Sequence, residues 1–299
     1  MGPTASGKTP VSLFLAQQLD GEIISADSRQ VYKYMDIGTA KPSVEQRKLI
    51  KHYFVDERKP DEEFNAGEFG KRGREIIEDI FDRRKQPILV GGSGLYVRAL
   101  VDGFFDTPPK DVDLRTQLFE RLHNEGRLSL LNELRKVDPT SAAQMLPSNT
   151  RRIVRALEVY RLTGIPISQH RQHQRIERTF EPVFTGLTWE RKKLYEQIEA
   201  RVDRMMEMGL IGEVESLRDK GYDSSLNALQ TVGYQEVFQY LKGKVSKERM
   251  IELIKQNSRR YAKRQLTWFR HDKRITWFPV SNARFDDVAQ KVLMYFQRD

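Results

Sequence analysis

Residues 2–9 of this chain read G-P-T-A-S-G-K-T. That is the G-x-x-x-x-G-K-[ST] spacing of a phosphate-cradling P-loop, and no other stretch constrains the fold as much. Glycines at positions 2 and 7 let the backbone curl, so that successive N–H groups point at one anion. Lys8 adds a point charge, and Thr9 can offer its hydroxyl to a magnesium ion. The helix that follows brings its positive end to the same spot. That helix is legible: Val11, Leu15 and Leu19 fall four apart, and Gly21 ends the pattern. A P-loop also needs a buried strand before it, and only Met1 precedes this one. The expectation is a P-loop NTPase-like parallel sheet, flanked by helices, whose first strand is missing. The motif specifies a diphosphate or polyphosphate; it does not specify ATP.

The rest of the chain alternates in keeping with that fold. "EIISAD" reads as a short buried strand ending at Asp27, followed by an irregular stretch to about Glu68. "GKRGREIIEDIFDRRK" reads as a helix with Ile76, Ile77, Ile80 and Phe81 on one face, and "PILVGGSGLY" as a strand, a glycine turn and a helix. Alternation of this kind argues for an α/β parallel sheet. After the Pro-Pro break in "FFDTPPKDVD" only helical pattern remains: Leu114, Leu118 and Leu122, then Leu128 to Val137, then Ile153, Leu157 and Tyr160. "QHRQHQRIER" reads as a polar connector, "PVFTGLT" and "RITWFP" as later strands. Residues 107–181 are therefore expected to form an all-helical insertion in an α/β core of residues 1–106 and 182–299.

Composition removes several function classes. The 299 residues contain no cysteine, which excludes disulfides, thiolate catalysis and cysteine-based zinc sites. No apolar run approaches the roughly 18 residues of a membrane span, and the P-loop stands where a signal peptide would. A cytoplasmic protein is expected. His170 and His173 make a lone H-x-x-H without further ligands, which is not a zinc site. With 51 basic and 42 acidic residues the net charge is +9, which suits a polyanionic partner where the charge is clustered. It is clustered in "ELIKQNSRRYAKRQLTWFR": Lys255, Arg259 and Lys263 make one row and Arg260 and Arg264 another, with Met250, Ile254 and Tyr261 toward a different face. One side is basic and one is core, as on a helix resting on a phosphate backbone. Trp268 beside it can stack on a base or pack.

Two residues have open readings. Asp27, at the end of a strand near the phosphate loop, can support magnesium, act as a general base, or serve a plain turn. Arg201 lies on an amphipathic helix whose buried stripe is Leu194, Ile198, Val202 and Met205, and reads as one exposed charge among others.

Six blocks occur in order: GPTASGKT, ISADSRQVYKYMDIGTAKP, PILVGGSGLY, RALEVYRLTG, TVGYQE and AKRQLTWFR. Together they resemble the bacterial tRNA dimethylallyltransferases, also called tRNA isopentenylpyrophosphate transferases, from Gly2 to about Pro279. The resemblance implies transfer of a dimethylallyl group from its diphosphate to the exocyclic N6 amine of the adenosine adjacent to the anticodon, with release of diphosphate. It implies that Gly2, Pro3, Thr4, Ala5, Ser6, Gly7, Lys8 and Thr9 grip the diphosphate, with Mg2+ at Thr9. Asp27 is implied as the general base, Thr4 as a hydrogen bond near the breaking C–O bond, and Arg201 as a cation on the leaving group. The chemistry suits these types. An adenine amine is a weak nucleophile that needs its proton taken, and a leaving diphosphate needs its charge met.

The partner implied is the tRNA anticodon stem-loop, with the base flipped into a pocket and the enzyme a monomer. The matching tRNA contacts are Asp27, Ser28, Arg29 and Gln30, then Ser93, Arg115, Arg151, Arg152 and Arg155. Gln230, Gly233, Tyr234 and Gln235 match another contact segment, and Lys263, Arg264, Gln265, Trp268 and Arg270 the last. The insertion is expected to close over the anticodon arm. The chain departs from the family in lacking the strand before the P-loop, and in having Lys51 and His52 where paired histidines are usual. Two rivals stand beside this reading: an adenylate isopentenyltransferase or P-loop small-molecule kinase, and a non-catalytic RNA-binding P-loop protein.

Overall fold

The computed structural model describes residues 1–103, 108, 111–173, 179–281 and 284–297, apart from the side chains of 172 and 173. The chain falls into two compact units, Met1–Val101 with Arg178–Asp299, and Asp102–Glu177. The first unit opens with α1 (Lys8–Gln18), β1 (Gly21–Ala26), α2 (Val44–Leu49), β2 (His52–Tyr53), α3 (Ala66–Asp82), β3 (Gln86–Gly91) and α4 (Gly94–Val101). The second unit is helical: α5 (Val112–Glu125), α6 (Arg127–Val137), α7 (Pro139–Ala143), α8 (Thr150–Thr163) and α9 (Ile167–His173). The first unit resumes with β4 (Thr185–Thr188), α10 (Arg191–Glu207), α11 (Leu210–Asp219), α12 (Tyr234–Leu241), α13 (Lys247–Arg270), β5 (Thr276–Pro279) and α14 (Phe285–Phe296).

β1 is the middle strand of a parallel sheet in the order β2-β1-β3, and all six of its residues are buried. Its register with β3 ends on Ala26↔Gly91, which brings Asp27 and the Gly91–Gly92 turn out side by side at the carboxyl edge. Ligands bind at that edge in open α/β sheets. Gly91 is required there, since a Cβ would lie 2.1 Å from the Ala26 carbonyl oxygen.

β4 and β5 form a separate parallel pair. Met1 lies against β4: its amine donates to the Thr185 carbonyl at 2.7 Å, and the Leu187 N–H donates to the Met1 carbonyl at 2.8 Å. Those two bonds make one parallel rung. Among the described residues no strand lies between β3 and β4. A cavity of about 180 Å³ stands there, lined by Leu15, Leu19, Ile88, Leu89, Val183 and Phe184 among others. This is where the P-loop motif calls for its strand. β3 is half-buried over five of its six residues, and so are Leu15 and Leu19. The Met1 amine is held down to about 5, first by burial and then by the charge of Lys8.

Helix α3 starts earlier than its apolar pattern suggests, at an Asn65 cap whose side chain accepts the Gly67 and Glu68 N–H groups. Its buried face is Phe69, Gly70, Gly73, Ile77 and Ile80. Gly70 and Gly73 let it lie on α4, because a Cβ on either would come within 2.5 Å of Ala99 or Leu100. That choice of face turns Phe81, expected in the core, outward at 44% exposure. The stretch read as irregular contains β2 and α2, the latter held by a Ser43–Gln46 capping box.

In the second unit, Leu118, Leu130, Leu131, Leu134, Ile153 and Leu157 form one core, with Leu114 and Leu122 packed on it. Leu128 is exposed instead. The expected connector begins within α9, and its residues 174–178 lie outside the described residues. Helix α14 follows β5 and packs its Val288, Ala289 and Val292 with Val11 of α1.

Candidate active site

The P-loop leads straight into α1, whose N-cap is Gly7 at φ +87°. A side chain is excluded there twice over, since a Cβ would also meet the Phe285 ring at 2.0 Å. Ala5 holds the left-handed region without being glycine, at φ +60°. The loop is pinned from outside: Trp189 Nε1 donates to the Ser6 carbonyl at 3.1 Å, and the Thr4 N–H donates to Gln265 Oε1 at 2.8 Å.

Around the loop lies a cavity of about 300 Å³, at the lower end of the roughly 300–1,000 Å³ of small-molecule sites. Residues 4–10 line it together with Asp27, Arg29 and Gln30 after β1, Gly38 to Ala40, Arg201 of α10, Gly233, and Tyr261 and Gln265 of α13. Four predicted parts therefore meet: the P-loop, Asp27, Arg201 and the C-terminal basic helix.

Arg201 is not a loose surface charge. Its Nη1 donates to Thr4 Oγ1 at 2.8 Å. Lys8 Nζ donates to the Pro3 carbonyl at 2.6 Å. Both side chains line the cavity and are half-buried. Burial, then the nearby Arg201 charge, brings Lys8 down to about 7, against a smaller opposing pull from Asp27. Burial also lowers Arg201, again opposed by Asp27. Two desolvated cations side by side are a binding site for an anion. Tyr261, which lines the same cavity, is pushed up to about 12 by burial and then by Asp27. Asp27 Oδ1 accepts the Arg29 N–H at 2.9 Å, so one carboxylate oxygen is anchored by the turn.

The donor set suits magnesium. No cluster of three or more His, Cys, Asp or Glu exists among the described residues. The Thr9 hydroxyl and the Asp27 carboxylate line one cavity. Mg2+ takes few protein oxygens and completes its shell with phosphate and water.

Other predicted residues are placed differently. Ser28, Ser93, Gln230 and Gln235 do not line the cavity. Tyr234 is fully buried, and its hydroxyl donates to Glu213 at 2.6 Å. Gln265 is 6% exposed. On α13, Lys263, Arg264, Trp268 and Arg270 are exposed, whereas Lys255 and Arg259 of the predicted row pair with Asp203 (2.6 Å) and Glu199 (2.5 Å) on α10. In the second unit Arg151 and Arg152 are exposed, while Arg115 and Arg155 both donate to the fully buried Glu158, at 2.7 and 2.8 Å.

Sequence reasoning missed Glu213. From α11 its carboxylate accepts the N–H groups of Asp36, Ile37 and Gly38, at 2.8, 2.7 and 3.2 Å, besides the Tyr234 hydroxyl. It thereby fixes the loop whose Thr39 and Ala40 carbonyls accept from Gln30 Nε2. A lone glutamate on a charged helix gives no signal for this. Glu236 was more legible. It stands three residues after Gly233, the spacing of a capping box, and accepts the Gly233 N–H at 2.8 Å and Asn257 Nδ2 at 2.7 Å.

A sequence model of the IPP transferase family matches residues 30–272. The chain is 44% identical to "tRNA dimethylallyltransferase 2" of Geotalea daltonii, over 100% of the chain and 91% of that protein. It is also 44% identical to "tRNA dimethylallyltransferase" of Pelotomaculum thermopropionicum, over 97% and 93%. The crystal structure of a full-length tRNA isopentenylpyrophosphate transferase from Bacillus halodurans is similar at 41% identity and a TM-score of 0.74, over 99% of this chain and 94% of that one. A eukaryotic dimethylallyltransferase captured acting on tRNA is similar at 30% identity and a TM-score of 0.86, over 100% and 77%.

Proposed function

The chain belongs to the IPP transferase family, and from that premise we propose that it transfers a dimethylallyl group from dimethylallyl diphosphate to the N6 amine of the adenosine adjacent to the anticodon in tRNA. The observation that carries this reading is one cavity lined by two desolvated basic side chains, Lys8 and Arg201, and by Asp27.

The diphosphate sits in the P-loop, at the start of α1 and against Lys8 and Arg201. Thr4 Oγ1 accepts from Arg201, so its own hydroxyl proton is free to be donated to the oxygen that leaves. The N6 lone pair forms the new C–N bond at the first prenyl carbon as the C–O bond breaks. Diphosphate takes that electron pair, and Asp27 takes the amine proton. Donors already aimed at the leaving oxygens stabilise the charge as it grows, without reorganisation. Mg2+, held by the Thr9 hydroxyl and the phosphate oxygens, would add charge neutralisation there. Basic residues exposed on α13 and Arg151 and Arg152 of the helical unit are the surfaces assigned to the RNA backbone. No helix of the described residues is long and apolar enough to cross a membrane, and a cytoplasmic enzyme suits a tRNA substrate.

The test is transfer of labelled dimethylallyl to an unmodified anticodon stem-loop RNA, with and without Mg2+, beside a measurement of ATP turnover. Label on the RNA that depends on Asp27 is expected. ATP turnover without RNA labelling overturns the reading in favour of a kinase.

A further inference from the structure

Gln265 is a polar side chain kept inside. It lies on the buried face of α13 with Ala262 and Phe269, while Lys263, Arg264 and Trp268 beside it are exposed. Both ends of its carboxamide are spent on backbone: Oε1 accepts the Thr4 N–H at 2.8 Å, and Nε2 donates to the Gly92 carbonyl at 2.9 Å. One side chain thus ties two loops together. The first is the P-loop, held immediately before Ala5, where a left-handed non-glycine conformation carries a steric cost. The second is the turn after β3. A Cβ on Gly92 would come 2.2 Å from Gln265 Nε2 and 3.4 Å from the Gly2 carbonyl, so the loops touch where Gln265 bridges them. The residue held, Thr4, is the one to which Arg201 is bonded.

We propose that Gln265 is a positioning residue for the transfer step: it fixes the Thr4 backbone against α13, which aims the Thr4 hydroxyl and Arg201 at the leaving oxygen, and it makes no contact with RNA. This rests on the transferase reading above. The amide supplies one acceptor and one donor at these two points. An ionised carboxylate lacks the donor, and leucine lacks both.

The experiment compares the wild type with Gln265→Leu and Gln265→Glu. With Gln265→Leu, the single-turnover transfer rate at saturating substrates is expected to fall about 100-fold, the scale of a misplaced catalytic group. The Kd for the stem-loop RNA should stay within about threefold, well below a lost base contact. Adding Thr4→Val should cost less than the product of the two single losses, because both act through Thr4. Exchange of the Thr4 amide hydrogen should accelerate in Gln265→Leu while the rest of α13 stays protected. If Gln265→Leu does not fold, Gln265→Glu decides. Its buried carboxyl, once protonated, regains both the acceptor and the donor, so its rate relative to the wild type should rise as pH falls. Lys8, Arg29, Arg201, Asp27 and Tyr261 face the same cavity in both proteins, so the ratio isolates position 265.

A raised RNA Kd with an unchanged saturated rate makes Gln265 an RNA contact and overturns the proposal. So does unchanged Thr4 exchange, or a rate ratio flat with pH. Failure of the wild type to label RNA would sink the transferase reading instead, and Thr4 exchange would still decide whether Gln265 holds the loop.

Discussion

At the residue scale, burial changes what a side chain can do. Lys8, held at about 7, is mostly neutral near pH 8 in the free protein. A bound diphosphate raises it again, so binding takes up a proton and tightens as pH falls from about 8 toward 7. Titration calorimetry of dimethylallyl diphosphate in buffers of different ionisation enthalpy should show this uptake, and Lys8→Arg should abolish it. Asp27 is the proposed general base. Asp27→Ala is expected to lower single-turnover transfer about 10²–10⁴-fold, the usual scale of a general base, while inorganic diphosphate binds as before. A parallel loss of diphosphate affinity would assign Asp27 to the metal instead. The P-loop and the strand-end aspartate were legible because glycine spacing and a terminal carboxylate are local signals. The place of Arg201 beside the P-loop was legible only through the family likeness. On its own helix it is one arginine among several, and its bond to Thr4 spans 197 positions of sequence.

At the element scale, α13 shows how far periodicity goes. The alternation of basic and apolar positions gave the helix and its two faces. It did not separate basic residues that meet solvent from those that meet α10. Lys263→Ala with Arg264→Ala should weaken RNA binding and lower the salt slope of log Kd by about one per residue. Lys255→Ala with Arg259→Ala, both paired with α10, should change the slope less; equal effects would contradict this division. Helix α11 makes a second case. Removing the Glu213 carboxylate leaves the Tyr234 hydroxyl buried without its acceptor and frees three loop N–H groups. Glu213→Ala should therefore destabilise the chain by about 2–3 kcal/mol in urea unfolding, with the loop at residues 36–38 losing exchange protection first.

At the scale of the whole molecule, the cavity between β3 and β4 dominates. Apolar side chains line both sides, β3 has no strand partner there among the described residues, and Met1 already makes one rung with β4. Joining five apolar, β-branched residues ahead of Met1 should fill the slot, connect the two sheets and raise Tm by several degrees. An unchanged Tm would show that the slot does not accept a strand. By itself the sequence determined the α/β class, the P-loop, the buried strand before Asp27 and the helical stretch after residue 107. Each of these is written in spacing over a few turns or a few rungs. Tertiary structure alone decided that α3 buries Gly70 and Gly73 rather than Phe81, that Glu213 holds a loop some 175 positions away, and that Gln265 faces inward. Such outcomes depend on which surfaces meet, and no local pattern of polarity encodes the partner.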